Sequence, residues 1–178
     1  MKRVIYPIFA ALILVTSAFV TVNAVDYKVK DDFSIAFKSK DPSGKFEKMT
    51  GTVKFDESDL GSSKFDLSID VASIKTGNGM MEKKAQTEEW FNASKFPKIK
   101  FVSSKIEKSD AGYTITGNLT MKGVTKEIKV PAKLKKSGDE LEFTGTFKVN
   151  RMEHKVGKKS DAVPDVMNIT YSLPVAKK

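Results

Sequence analysis

Apolar residues recur at every second position along most of this chain. In KFDLSIDVASI (64–74), Phe65, Leu67, Ile69 and Val71 fall on one side and Lys64, Asp66, Ser68 and Asp70 on the other. Successive side chains of a strand point to opposite faces, so this period predicts a strand with one apolar and one polar face. The same pattern recurs on either side of it. A first strand carries Tyr27, Val29, Phe33, Ile35 and Phe37, a second carries Met49, Gly51, Val53 and Phe55, and KFDLSIDV is the third. Ile99 and Phe101 open a fourth, followed by Tyr113, Ile115, Leu119 and Met121, and then by Ile128, Val130, Ala132 and Leu134. Leu141, Phe143, Phe147 and Val149 mark the seventh, and Met167, Ile169, Tyr171 and Leu173 the eighth. Turn-forming clusters DPSG (41–44), SDAG (109–112), MKG (121–123) and KSGD (136–139) separate several of them. One-sided strands joined by short turns are the mark of antiparallel sheet. Their apolar faces must be buried against each other, in a sandwich or a closed barrel. Gly51, Gly117 and Gly145 fall on the apolar face, where they either leave space inside or mark bulges and corners.

The alternation breaks once, in VASIKTGNGMMEKKAQTEEWFNASKFPKIKF (71–101). After Gly77 and Gly79, the run MMEKKAQTEEWF holds good helix formers and neither Gly nor Pro. Met80, Met81, Lys84, Ala85 and Glu88 lie at helical spacing, and Asn92, Ser94 and Pro97 return the chain to strand. Such a helix cannot join the sheet, so it is expected over an end or flank, with Met80, Met81, Ala85, Trp90 and Phe91 on its apolar side. It either plugs an opening or forms the lid of a pocket. Methionine, unbranched and polarisable, suits the irregular surface of a ligand.

The N-terminus obeys other physics. Lys2 and Arg3 precede an uncharged apolar run from Val4 to Val20, and Val22-Asn23-Ala24 supplies small residues for cleavage. This predicts a signal peptide over 1–24 and one mature domain over 25–178, periplasmic or secreted in a bacterium. The chain has no cysteine, so its core rests on packing alone. With one histidine, His154, the usual ligands of a transition metal are missing, and no metal is expected. His154 sits in the charged segment NRMEHKVGKK, which reads as a solvated loop without a catalytic partner. Asp31 and Asp32, adjacent on a strand, point to opposite faces and cannot share a proton. No enzyme and no cofactor are therefore expected. The net charge of +9 favours transient contact with an anionic membrane surface over nucleic acid.

The segments SIDVASIKTGN, EEWFNASKFPKIKFVSSKIE, YTITGNLTMKGVTKEIKVPAKL and GTFKVNR, in this order and spacing, resemble the YceI-like family of exported bacterial proteins from Asp26 to Pro174. The resemblance implies an all-β fold: an eight-stranded antiparallel lipocalin-like β-barrel with one helical insertion between strands three and four. It also implies a function, as carrier or reservoir of a long-chain amphiphile, a polyisoprenoid or similar lipid, held in the barrel. The alternative is a stress-related or protein-interaction module whose barrel is filled by its own side chains. Monomer and homodimer both stay open. A lipid ligand in the barrel would touch Phe37, Met49, Leu67, Ile69, Val71, Phe101, Ile115, Leu119, Met121, Phe143, Phe147, Ile169 and Tyr171 from the walls. From the insertion it would touch Met80, Met81, Lys84, Trp90 and Phe91. Where many family members carry an Arg-Asp pair and then a His, this chain has Met81, Glu82 and Lys84. An apolar Met81 suits a neutral or weakly anionic head, and Lys40, Lys83 and Lys84 are the cations available to an anionic one. Phe147 is expected to be packed core, and Lys64, Asp66, Asp70, Lys126 and Lys148 are expected to face water.

Overall fold

A computed structural model describes residues 24–39 and 42–178. All of the expected signal peptide except Ala24 lies outside the described residues, as does Lys40. The strands are β1 (Val25–Val29), β2 (Ser34–Lys38), β3 (Ser43–Phe46), β4 (Met49–Phe55), β5 (Lys64–Asp70) and β6 (Ile74–Lys75). The helix α1 (Gly79–Gln86) follows, and then β7 (Lys98–Ser109), β8 (Gly112–Met121), β9 (Val124–Ser137), β10 (Glu140–Asn150) and β11 (Val166–Lys177). The hydrogen-bonded order β1-β4-β5-β7-β8-β9-β10-β11 returns on itself, because β11 also pairs β1 with Val29 opposite Val175. The fold is therefore all-β, a closed eight-stranded antiparallel barrel, and its helix lies between β5 and β7 as the alternation predicted. Closure satisfies the edges that an open sheet would leave unpaired.

The expected first strand is two strands. Val29 pairs Val175 and Ser34 pairs Ser172, so four residues, Lys30 to Phe33, stand against two on β11. The surplus bulges out as a turn with Asp31 and Asp32 exposed at its tip. Two short strands, β3 and β6, went unpredicted because DPSG reads as a turn and Ile74–Lys75 is only a bridge-length pairing. Phe46 faces Ile74 in this addition, which extends one end of the barrel. The Ser73 hydroxyl accepts from the Glu47 and Lys48 amides (3.2 and 3.0 Å) and ties the β3–β4 corner to the turn after β5.

The inner glycines do not stand over empty space. A Cβ on Gly117 would lie 2.6 Å from the Phe101 ring, and one on Gly145 would lie 2.1 Å from the Pro131 carbonyl. Gly117 also faces the register shift between Ser103 and Lys105, so it serves both a bulge and a ring that fills its place. The β9–β10 ladder stops at Lys133–Thr144, close to Pro131, which has no N–H to extend it. The Tyr171 hydroxyl spans this side by donating to the Pro131 carbonyl (2.8 Å).

The inward and outward residues follow the period of two. Ile69, Val71, Ile115, Leu119 and Phe143 are buried, Lys64, Asp66, Lys126 and Lys148 are exposed, and Asp70 is half-buried against Lys98 (3.1 Å). His154 corrects the expectation of a solvated loop. It ends a short 3-10 turn (Arg151–His154), is 2% exposed, and its Nδ1–H donates to the Val124 carbonyl (3.0 Å). The core has two halves. At the far end Phe65, Phe143, Phe55 and Tyr113 stack edge to face, with centroids 5.0, 5.2 and 5.5 Å apart in turn. At the other end Phe46, Ile69, Ile99 and Leu119 meet Ala85, Trp90 and Phe91 from the insertion.

Candidate functional site: an apolar cavity beneath the helix

The insertion is fixed locally before it covers anything. Asn78 caps α1, its side chain accepting from the amides of Met80 and Met81 (3.0 and 3.3 Å). Glu82 turns back to the preceding strand, accepting from the Thr76 amide (3.1 Å) and from Lys75 Nζ (3.2 Å). The Thr76 amide first, and Lys75 with it, hold the Glu82 carboxyl below the usual carboxylate range. The helix is shorter than MMEKKAQTEEWF promised. It ends at Gln86, where Thr87 returns both its amide (3.1 Å) and its hydroxyl (2.7 Å) to the Lys84 carbonyl. Tight turns follow, with Asn92 in the left-handed region (φ 51°), and they aim Trp90 and Phe91 at the barrel end.

Beneath this cover lies a cavity of about 360 Å³, continued toward the far end by a second of about 80 Å³. The two share Ile35, Ile69, Ile99, Leu119 and Phe147 in their walls, so they adjoin and together form a passage whose two parts meet at these side chains. Of the expected residues, Phe37, Met81, Lys84, Trp90, Phe91, Met121 and Ile169 line the larger space, along with the shared Ile69, Leu119 and Phe147. Met49, Leu67, Phe101, Ile115 and Tyr171 line the smaller one.

Three expected residues stand outside the walls. Met80 is 80% exposed, because the Asn78 cap gives the inner side of α1 to Met81 and Ala85, one turn apart. Val71 belongs to a 3-10 turn after β5 and is packed in the core outside the cavities. Phe143 is buried within the aromatic stack of the far end. Phe147, expected as packed core, borders open space instead. Among the wall residues that the sequence reading missed are Phe46, Ile74, Val156 and Arg151. The first two sit on the unpredicted strands, and the other two follow β10 in a segment whose charges read as solvent-facing.

Few polar groups reach the cavity, and they are unequal. Arg151 is 4% exposed, yet its guanidinium is fully engaged. It donates to the carbonyls of Pro164 (3.0 Å), Val156 (2.9 Å) and Val163 (2.8 Å) and to the Asp165 carboxylate (3.2 Å). These bonds compensate a buried cation and fix the segment after β10. The charged groups of Arg151 and Lys84 sit 5.5 and 5.8 Å from the centroid of the Trp90 ring. A Cβ on Gly157 would meet the Trp90 ring at 2.9 Å, so only glycine allows this approach. The indole Nε1, on the opposite side of the ring, is buried and has no hydrogen-bond partner in the protein. The far end carries a different polar device. Tyr113 donates to Glu57 (2.7 Å), and burial and this carboxylate push its hydroxyl up to about 12. Lys136 and Tyr113 hold Glu57 below the ordinary range.

A closed antiparallel barrel with an apolar interior, open to a helical cover at one end, defines a lipocalin-like class of protein. Within it, this chain belongs to the YceI-like family, whose domain profile matches residues 17–175. A UPF0312 protein of Pectobacterium atrosepticum is 38% identical over 97 residues, 54% of this chain, and the match spans about half of that relative's length (50%). The crystal structure of Burkholderia cenocepacia BcnA has a TM-score of 0.74 at 29% identity, over 80% of this chain and 95% of that one. A domain from Saccharophagus degradans described as polyisoprenoid-binding shares the fold, with a TM-score of 0.68 at 11% identity over 87% of this chain and 99% of that one.

Proposed function

We propose that this protein holds one amphiphile in the passage beneath α1, apolar chain inward and polar head beside Trp90, as a carrier or reservoir. The observation that carries this reading is the pair of adjoining apolar cavities along the barrel, the larger lying under a cover that includes Trp90, whose buried Nε1 has no partner in the protein. A buried donor without an acceptor costs free energy, which a ligand oxygen would relieve. The larger cavity falls at the lower end of the ~300–1,000 Å³ of small-molecule sites. The polyisoprenoid named for the Saccharophagus domain is of the same chemical kind. Arg151 is already engaged by Asp165 and three carbonyls, and Lys84 is exposed, so a neutral or weakly anionic head fits better than a pyrophosphate. The charged, apolar and small-residue order of residues 1–24 supports export, with the protein meeting its ligand outside the cytoplasm.

The test is displacement of a fluorescent fatty probe by farnesol and by farnesyl pyrophosphate. The parent should favour farnesol. Met81→Arg should move the preference toward the pyrophosphate by roughly tenfold or more, the size expected of a charged hydrogen bond. Trp90→Phe should weaken farnesol by several-fold. Equal displacement by both competitors in all three proteins would overturn the reading. Intact mass of protein recovered from the periplasm checks export, with loss of residues 1–24 expected.

A further inference from the structure

The passage does not run the length of the barrel. Along β8 the inward residues come in the order Met121, Leu119, Gly117, Ile115 and Tyr113, from the helix end to the far end. Met121 lines the larger cavity, Ile115 the smaller one, and Tyr113 lies beyond both. At ~3.3 Å per residue and a strand tilt of ~40°, the stretch from Ile115 to Met121 spans roughly 15 Å of the barrel axis. This is comparable with an extended farnesyl chain and far short of a long polyprenyl tail. The stretch ends at a wall. Phe65 lines the inner cavity and is 1% exposed, with Phe143 packed edge-on behind it at 5.0 Å and Phe55 behind Phe143 at 5.2 Å. Tyr113, bound to Glu57 at the barrel rim, completes the stack.

We propose that this aromatic stack is a chain-length stop, with Phe65 as the residue that the ligand's tail meets, so that the protein selects a single amphiphile of about farnesyl length. The proposal rests on the lipid reading above and adds the length of the chain to it. Close-packed interiors do not yield smoothly to an added group. The rings are held by mutual edge-to-face contacts, and Tyr113 is held in addition by a hydrogen bond to a charged carboxylate. Carbons beyond the stop would remain at the mouth in water and contribute little. At the other end the Trp90 Nε1–H is the unused donor from which an oxygen of the head would accept. Anchor and stop together make length a selected property, where an open tunnel would bind longer chains ever more tightly.

The experiment uses the full mature chain and three prenols, geraniol, farnesol and geranylgeraniol, as competitors of a fluorescent fatty probe. The parent should gain roughly tenfold or more from geraniol to farnesol, as burial of added methylenes requires, and little from farnesol to geranylgeraniol. Phe65→Ala should restore the second gain. Phe65→Leu, a milder cut that keeps an apolar side chain in the wall, should restore part of it if Phe65→Ala does not fold. A parent that gains as much in the second step as in the first has no stop, and variants with the parent's profile would show that Phe65 is not it. Either result overturns the proposal while leaving the lipid reading intact. Binding of none of the prenols by any of the proteins would overturn the lipid reading and the stop with it.

Discussion

At the residue scale, identical chemistry on one strand has two different consequences. Phe143 and Phe147 both lie on the inward face of β10. Phe143 is 1% exposed and touches Phe55 and Phe65 ring to ring, whereas Phe147 borders both cavities. A side chain beside a void has fewer partner atoms to lose. Phe143→Ala should therefore cost on the order of 3–5 kcal/mol in a urea titration, and Phe147→Ala clearly less. Equal costs would mean that the passage is closed in solution. Alternation placed both residues inward, but it carries no information about which layer of the barrel is filled. Trp90 is similar: its place as the chain's one tryptophan marks it, but the close approach of its ring to Gly157 and its unpartnered Nε1 are properties of its neighbours in space.

At the scale of the element, α1 depends on its end caps more than on its length. Asn78 satisfies its first amides, and Glu82 clamps its first turn to Thr76 and Lys75. The Glu82 carboxyl titrates lower in the folded protein than in the unfolded chain, so the clamp's contribution is complete above the ordinary carboxylate pKa. That contribution is lost as pH falls through the depressed value. Melting temperatures of the parent should thus fall on acidification over this window, and Glu82→Gln should show a smaller fall from a lower starting point. An unchanged pH slope in the variant would remove Glu82 from the account. The sequence pattern located this helix and the residues around it. It overran the C-terminus because EEWF has helical propensity, and the Thr87 cap prevailed over propensity. It also assigned Met80 and Met81 alike, since helical spacing does not fix which of two neighbours turns inward.

At the scale of the whole molecule, a barrel filled at one end and hollow at the other gains stability when a ligand completes its core. Farnesol at about a hundred times its Kd should raise stability by ~2.7 kcal/mol. For a domain of this size that is a rise in Tm of roughly 5–10 °C, readable by calorimetry. Farnesol should have no such effect on a variant that does not bind the probe. The sequence by itself determined the strand faces, the all-β class and the position of the single helical interruption. These follow from local periodicity, because side-chain direction along a strand repeats every two residues whatever the strand packs against. Closure of β1 on β11, the break of the first strand at Asp31–Asp32, the burial of His154 and the division into plug and passage were decided only by the tertiary structure. Each depends on which distant residues meet: Val29 with Val175, Ser34 with Ser172, His154 with Val124, Phe65 with Phe143. Those meetings are set by strand register and barrel closure, and no local pattern encodes them.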